Sequence, residues 1–263
     1  MDVLAAARRV LDLRGHHLDG DLIHVDDSAG WANLYRTQGF VWQEGEDPNA
    51  WTSRLRTRAL HPGPRAFSHP HWQLGLHSYD NYDNDYLVCS WAEDQVWHIG
   101  TIRIDNGMAE EWATGWWPIG NVAAADGRVV FLADSATHTP AIIEVSRGKT
   151  KVLRPSSEAE VPTALVSTAE MLTWKTSDGE EAHGFYYAPV NPEFAAPEGE
   201  LPPLIVNVHG GPTSAARPGL QVPFQYWTTR GFAVLDVNFR GSTSFGRPYR
   251  ERINGNWGVM DVQ

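Results

Sequence analysis

Leu204-Ile205-Val206-Asn207-Val208-His209-Gly210-Gly211-Pro212-Thr213 is the stretch on which the reading of this chain turns. Its first five residues are almost uninterruptedly apolar, the pattern of a strand buried on both faces of a parallel sheet rather than of a half-exposed one. Behind it, residues 220–230 read as a helix closed by Gly231, because a helix end favours a residue that can turn left-handed. Phe232-Ala233-Val234-Leu235-Asp236-Val237-Asn238 is a second strand, so the whole is one βαβ unit with His-Gly-Gly at the carboxyl end of its first strand. The Gly-rich loop Arg240-Gly241-Ser242-Thr243-Ser244-Phe245-Gly246 follows, then a short helix around residues 249–253. Upstream, residues 189–203 carry five prolines and several acids, as an exposed connection does. The character changes at Lys175-Thr176-Ser177-Asp178-Gly179, a turn leading into a strand over residues 183–188. Two parallel strands leave wide apolar faces bare, so this domain needs further strands and helices.

Before that change the chain reads as all β. Three stretches share a strand–turn–strand form: residues 21–37 around Asp26-Asp27-Ser28-Ala29-Gly30, residues 86–104 around Ala92-Glu93-Asp94-Gln95, and residues 128–145 around residues 134–139. Each follows a turn, at Asp19-Gly20, Asn84-Asp85 and Asp126-Gly127. The second and third copies are separated by about the length of a four-stranded propeller blade, and the wider first gap suggests an insertion. Three blades cannot close a ring, which takes at least about four. The expected architecture is therefore mixed: a partial β-propeller over residues 1–170, then the first βαβ portion of an α/β-hydrolase domain over residues 171–263.

Composition narrows the function classes. The 263 residues are 42% apolar, enough for a sizeable core, and 32 acids against 21 bases give a formal charge of -11. That charge repels phosphate backbones and anionic lipid heads, which argues against nucleic-acid and membrane-surface partners. The apolar run at residues 3–7 is too short for a signal peptide or a membrane span, so the expected location is cytoplasmic. The lone cysteine, Cys89, reads as a small buried apolar residue, and the twelve tryptophans fit a packed β core.

The chemistry centres on His209-Gly210-Gly211. In an α/β-hydrolase, the loop between an early strand and its helix lends a backbone N–H to the oxyanion hole, and small residues let the main chain approach the substrate carbonyl. One such donor is worth about 3–4 kcal/mol in the transition state. Gly210 and Gly211 are the candidate donors, with the His209 side chain a secondary candidate.

The stretch from residue 201 to 262 resembles the start of the catalytic domain of the prolyl oligopeptidase family, its acylaminoacyl-peptidase and dipeptidyl-aminopeptidase-like branch above all. The resemblance rests on His209-Gly210-Gly211-Pro212-Thr213-Ser214, Arg230-Gly231-Phe232-Ala233-Val234, Asp236-Val237-Asn238-Phe239-Arg240-Gly241-Ser242-Thr243, Gly246-Arg247 and Gly255-Asn256-Trp257-Gly258-Val259-Met260-Asp261-Val262. Gly30-Trp31 and Asn33-Leu34-Tyr35 look like part of a propeller blade of the same family. The resemblance implies a serine peptidase in which a propeller caps a Ser-Asp-His triad and admits short or unfolded peptides. In it Gly210 and Gly211 match the oxyanion-forming turn, His209 stands where some relatives place a tyrosine, and the loop from Arg240 to Thr243 is structural. Ser244-Phe245-Gly246 departs conservatively from the usual Gly-Tyr-Gly.

No Gly-x-Ser-x-Gly pentapeptide occurs in the sequence. Ser244, in Ser242-Thr243-Ser244-Phe245-Gly246, lacks the first glycine and sits on the wrong loop. The chain is thus expected to stop short of its nucleophile and, with no triad member, to be inactive alone. His61, His69, His71 and His77 are irregularly spaced and interrupted by prolines, and Asp80, Asp83 and Asp85 lack the calcium-loop pattern, so no metal and no cofactor is expected. Peptide substrate is the expected partner of the longer protein, with homo-oligomerisation left open. The competing readings are a non-catalytic peptide- or protein-binding module and an esterase on the same scaffold.

Overall fold

The structure is a computed structural model that describes residues 21–39, 55–70, 72–158, 160–211 and 213–262. The turn at Asp19-Gly20, the run at residues 3–7, His71 and Pro212 lie outside the described residues, as does much of the first inter-copy gap.

The three hairpins are present, each enlarged into a separate antiparallel sheet. β1 (Leu22–Asp26), β2 (Asn33–Gln38) and β3 (Arg56–Ala59) form the first. β4 (Tyr79–Asn81), β5 (Tyr86–Glu93), β6 (Val96–Arg103) and β7 (Ala109–Glu111) form the second. β8 (Trp117–Ala125), β9 (Arg128–Asp134), β10 (Ala141–Ser146) and β11 (Lys149–Pro155) form the third. Strands follow one another in chain order within each sheet, an arrangement consistent with a β-propeller. Three of the joining turns have two central residues with φ above zero, Asp94-Gln95, Asp126-Gly127 and Arg147-Gly148. That is the two-residue geometry whose twist matches flanking strands.

Alternation along β5 explains why the second sheet is the middle layer. Leu87 and Cys89 point into a core shared with Ile23, Leu34 and Phe67. Val88 points the other way, into a core with Ile99, Val129, Phe131 and Ile143. Cys89 is fully buried, which pushes its thiol pKa up.

The fourth sheet begins at β12 (Glu170–Lys175), so residues 175–179 form the turn of a hairpin with β13 (Glu181–Tyr187) rather than an entry point. β14 (Leu204–Val208) is followed by helix α1 (Val222–Thr228), β15 (Ala233–Asn238) and helix α2 (Arg247–Glu251). The order is β12-β13-β15-β14, with β14 and β15 parallel and β13 antiparallel to β15. The βαβ unit is as expected, but the placing of its first strand is not. β14 is the edge strand, and Leu204, Val206 and Val208 are half exposed. Its apolar run has one partner strand where the pattern implies two.

The fourth sheet is tied to the others by close backbone contacts. Leu220 N–H donates to the Ser135 carbonyl at 2.8 Å, and Arg247 N–H to the Gly30 carbonyl at 2.7 Å. Arg250 pairs with Asp27 at 2.7 Å. At Gly219 an added Cβ would lie 2.7 Å from Asp134 Cβ, so the chain runs against β9 with no room for a side chain.

Candidate functional site

β14 and β15 run in parallel with Val208 opposite Val237, so the residues after both strands emerge at the same sheet end. This register brings His209 to the loop that follows β15, 33 residues later. The His209 ring stacks on Phe239 at 4.4 Å between centroids. Its Nε2 lies 2.7 Å from Ser242 Oγ and its Nδ1 lies 3.0 Å from the Gly210 carbonyl oxygen. A carbonyl only accepts, so Nδ1 carries the proton and Nε2 accepts from the Ser242 hydroxyl. Burial lowers the His209 pKa, with the bond to Gly210 opposing, which favours this neutral form.

Two more links fasten the loop to β15 and to the residues that follow it. Thr243 N–H donates to the Ser214 carbonyl at 2.8 Å, and Ala216 N–H donates to Asn238 Oδ1 at 2.7 Å. The loop after β15 is itself fixed by Gly241, whose φ is +134° and where a Cβ would meet Ile253 at 2.8 Å. Arg240, 1% exposed, pairs with Asp178 on the β12–β13 turn. The Thr176 hydroxyl and then Arg240 hold the Asp178 pKa down, at about 2.

Gly210 and Gly211 are exposed, and among the described residues neither backbone N–H has a hydrogen-bond partner. A Cβ at Gly211 would stand 3.3 Å from the Trp257 ring, whereas at Gly210 it would enter open space. Internal packing does not require glycine at 210. The loop is also reached from the segment joining the first and second sheets: Trp72 Nε1 donates to the Thr213 carbonyl at 2.8 Å. A cleft of about 220 Å³ opens there, lined by Ser68, His69, Trp72, Thr213, Thr243 and Ser244 among others. Ser244 has φ +74°, unusual for a non-glycine residue. Ser242 is fully buried.

The histidines considered for metal have other partners. His61 Nδ1 bonds the Gly107 carbonyl, and His69 stacks on Trp97 at 4.2 Å, with burial lowering its pKa to about 4. Asp80 accepts from the Ala124 amide and Asp83 from the amides of Asp85 and Tyr86. Among the described residues no group of three or more His, Cys, Asp or Glu is placed to hold a metal ion. Among them, too, no helix is long and apolar enough to cross a membrane.

The sequence profile described as "Prolyl oligopeptidase family" matches residues 218–263. Over those residues the chain is similar to that family. Its relatives are far longer than it is. It is 47% identical over 55 residues to dipeptidyl aminopeptidase BIII of Pseudoxanthomonas mexicana, a match covering 21% of this chain and 8% of the relative. It is 41% identical over 61 residues to the acylamino-acid-releasing enzyme of Homo sapiens, covering 23% and 8%. A Mycobacterium tuberculosis puromycin-hydrolyzing peptidase of known structure superimposes with a TM-score of 0.82 at 30% identity, covering 93% of this chain and 36% of that one. The chain thus spans about a third of the solved structure it matches.

The sequence singled out His209, Gly210 and Gly211, and the structure brings them together with Ser242, which the sequence assigned only to a structural loop. The signal that finds Ser242 is the pairing of two parallel strands, since residues following neighbouring parallel strands meet at their carboxyl ends.

Proposed function

We propose that these residues are part of a serine peptidase that hydrolyses short peptides through an acyl-enzyme. Residues 1–170 contribute blades of a β-propeller and residues 171–263 the first strands of an α/β-hydrolase domain. Gly210 and Gly211 lend the oxyanion-hole amides, and the Ser-Asp-His triad comes from residues outside this chain. The observation that carries the reading is the pair of exposed amides, without a hydrogen-bond partner among the described residues, at the carboxyl end of β14 beside a cleft walled by both portions. The match of residues 218–263 to the prolyl oligopeptidase family profile and the fit to a puromycin-hydrolyzing peptidase support it. So does the open space at Gly210, which leaves the approach of a substrate carbonyl as the reason for a glycine there.

The test uses two polypeptides. The 263-residue chain is expected to show no fluorophosphonate labelling and no hydrolysis of aminoacyl or dipeptidyl chromogenic substrates. A longer protein that continues to a Gly-x-Ser-x-Gly elbow is expected to be labelled and to hydrolyse them, with puromycin as a further substrate. Labelling of the short chain, or inertness of a folded longer one, overturns the proposal.

A further inference from the structure

We propose that the cleft between the two portions binds the terminal carboxylate of a short peptide, held by Arg247 and Arg250 together with the hydroxyls of Thr213, Thr243 and Ser244. The peptide as the source of the carboxylate rests on the peptidase reading; the affinity of the cleft for an apolar carboxylate does not.

Among the described residues, Arg247 and Arg250 are the only charged side chains that line the cleft. His69 also lines it but is uncharged at neutral pH, because burial lowers its pKa to about 4. The acids that pair with the arginines do not line it. Arg250 Nη2 donates to Asp27 Oδ2 at 2.7 Å, and Arg247 Nε donates to Glu251 Oε1 at 2.6 Å. These bonds leave Arg250 Nε and Nη1 and Arg247 Nη2 without a hydrogen-bond partner among the described residues. The hydroxyls of Thr213, Thr243 and Ser244 have none there either. A planar guanidinium fork matches the two oxygens of a carboxylate, and hydroxyls donate to what the fork leaves over. The β portion contributes an apolar surface, made by Ala32, Ala66 and the half-exposed Trp72. An inorganic anion leaves that surface unused, whereas a terminal residue with an apolar side chain covers both kinds of wall. At about 220 Å³ the cleft is smaller than the roughly 300–1,000 Å³ of sites for drug-sized ligands, and suits one such residue.

Ser244 is the residue that a purely structural loop does not explain. Its φ of +74° is left-handed, a conformation that glycine adopts freely and serine only at a cost. No hydrogen bond of its hydroxyl within the described fold offsets that cost, so what the serine adds is a donor in the cleft. Thr213 belongs to the same loop as Gly210 and Gly211, so a terminus anchored here fixes how far the scissile bond lies from the end of the peptide and selects short substrates.

NMR titration of the 263-residue chain with N-acetyl-leucine, N-acetyl-leucinamide and inorganic phosphate tests the site. N-acetyl-leucine should bind saturably, shift the amide resonances of Thr213, Thr243, Ser244 and Arg247, and bind more tightly than the uncharged amide or phosphate. Ser244→Gly should weaken it about ten-fold or more, the loss of one hydrogen bond to a charged acceptor, while the melting temperature stays level or rises. Arg247→Gln should weaken it too, whereas Lys149→Gln, on β11, should not. No saturable binding, an amide or phosphate that binds as tightly as N-acetyl-leucine, or native affinity in Ser244→Gly overturns the inference. In the longer enzyme, peptides with a free carboxylate should have a higher kcat/KM than their amides, and Ser244→Gly should narrow the difference. An active longer enzyme whose 263-residue portion binds no carboxylate keeps the peptidase reading and sinks this one. Carboxylate binding beside an inert, folded longer enzyme leaves the cleft site standing and defeats the peptidase reading instead.

Discussion

Gly219→Ala puts the junction between the third and fourth sheets to a quantitative test. The new methyl would sit 2.7 Å from both Cβ and Cγ of Asp134 and 2.8 Å from its Oδ2. Carbon atoms rest at about 3.5–4.0 Å, so about 1 Å of overlap must be relieved. Rotating the Asp134 side chain cannot relieve it, because Cβ is fixed to β9, and β9 is paired on both sides. The backbone of residues 218–220 is equally held, by Leu220 bonding Ser135. Overpacking of this kind costs about 1–3 kcal/mol. For a chain of this size that lowers the melting temperature by about 2–12 °C, at about 2–4 °C per kcal/mol. Gly210→Ala is the internal comparison: its Cβ meets nothing, and the lost freedom of the unfolded chain leaves stability unchanged or raises it by up to about 1 kcal/mol. Thermal unfolding followed by circular dichroism reads both. A Gly219→Ala protein as stable as the parent refutes the packing argument, and a strongly destabilised Gly210→Ala protein refutes the claim that the fold does not need that glycine.

Phe131→Ala, at a fully buried position between the second and third sheets, should cost about 3–5 kcal/mol in urea unfolding, and a loss below about 1 kcal/mol would contradict the assigned core. His69 has a folded-state pKa of about 4, below its unfolded value, so its contribution to stability is present above about pH 6.5 and is lost as pH falls toward 4. His69→Phe should flatten that part of the stability–pH profile, and an NMR titration midpoint near 6.5 in the parent chain would count against it. Asp178 is depressed to about 2, so the stability it brings is present above about pH 4 and is lost as pH falls toward 2; a carboxyl carbon titration centred near 3.8 would show that the Thr176 and Arg240 contacts do not form. A double-mutant cycle on Asp27 and Arg250 should return a coupling of up to about 1 kcal/mol that shrinks at high salt, and a coupling of zero at low salt would remove this ion pair from the junction.

The hairpins were readable because each pairs alternating strands across polar turn residues. Their boundaries were less so: Asp94-Gln95 turns with φ above zero at both positions without a glycine to announce it. β11 was missed because all seven of its residues are exposed, and only pairing with β10 makes it a strand. β12 escaped because its inward-facing positions are only Leu172 and Trp174, both half-buried, too short an alternation to stand out. β14 was found but misplaced, since apolar character reports what a strand can bury and not how many partners it has. Of the site, His209, Gly210 and Gly211 were legible as a motif. Ser242 and Trp72 were not, because their approach depends on strand register and on how separate sheets meet.

The hydrogen bond from Trp72 to Thr213 gives the glycine loop two owners. Both ends of the loop are fastened to β15 and the loop after it, through His209 on one side and Ser214 and Ala216 on the other, and its middle is gripped from across the cleft. Sliding the β-rich portion against the fourth sheet must either snap that indole bond or drag the Thr213 carbonyl along. The loop therefore registers the spacing of the two halves of the molecule.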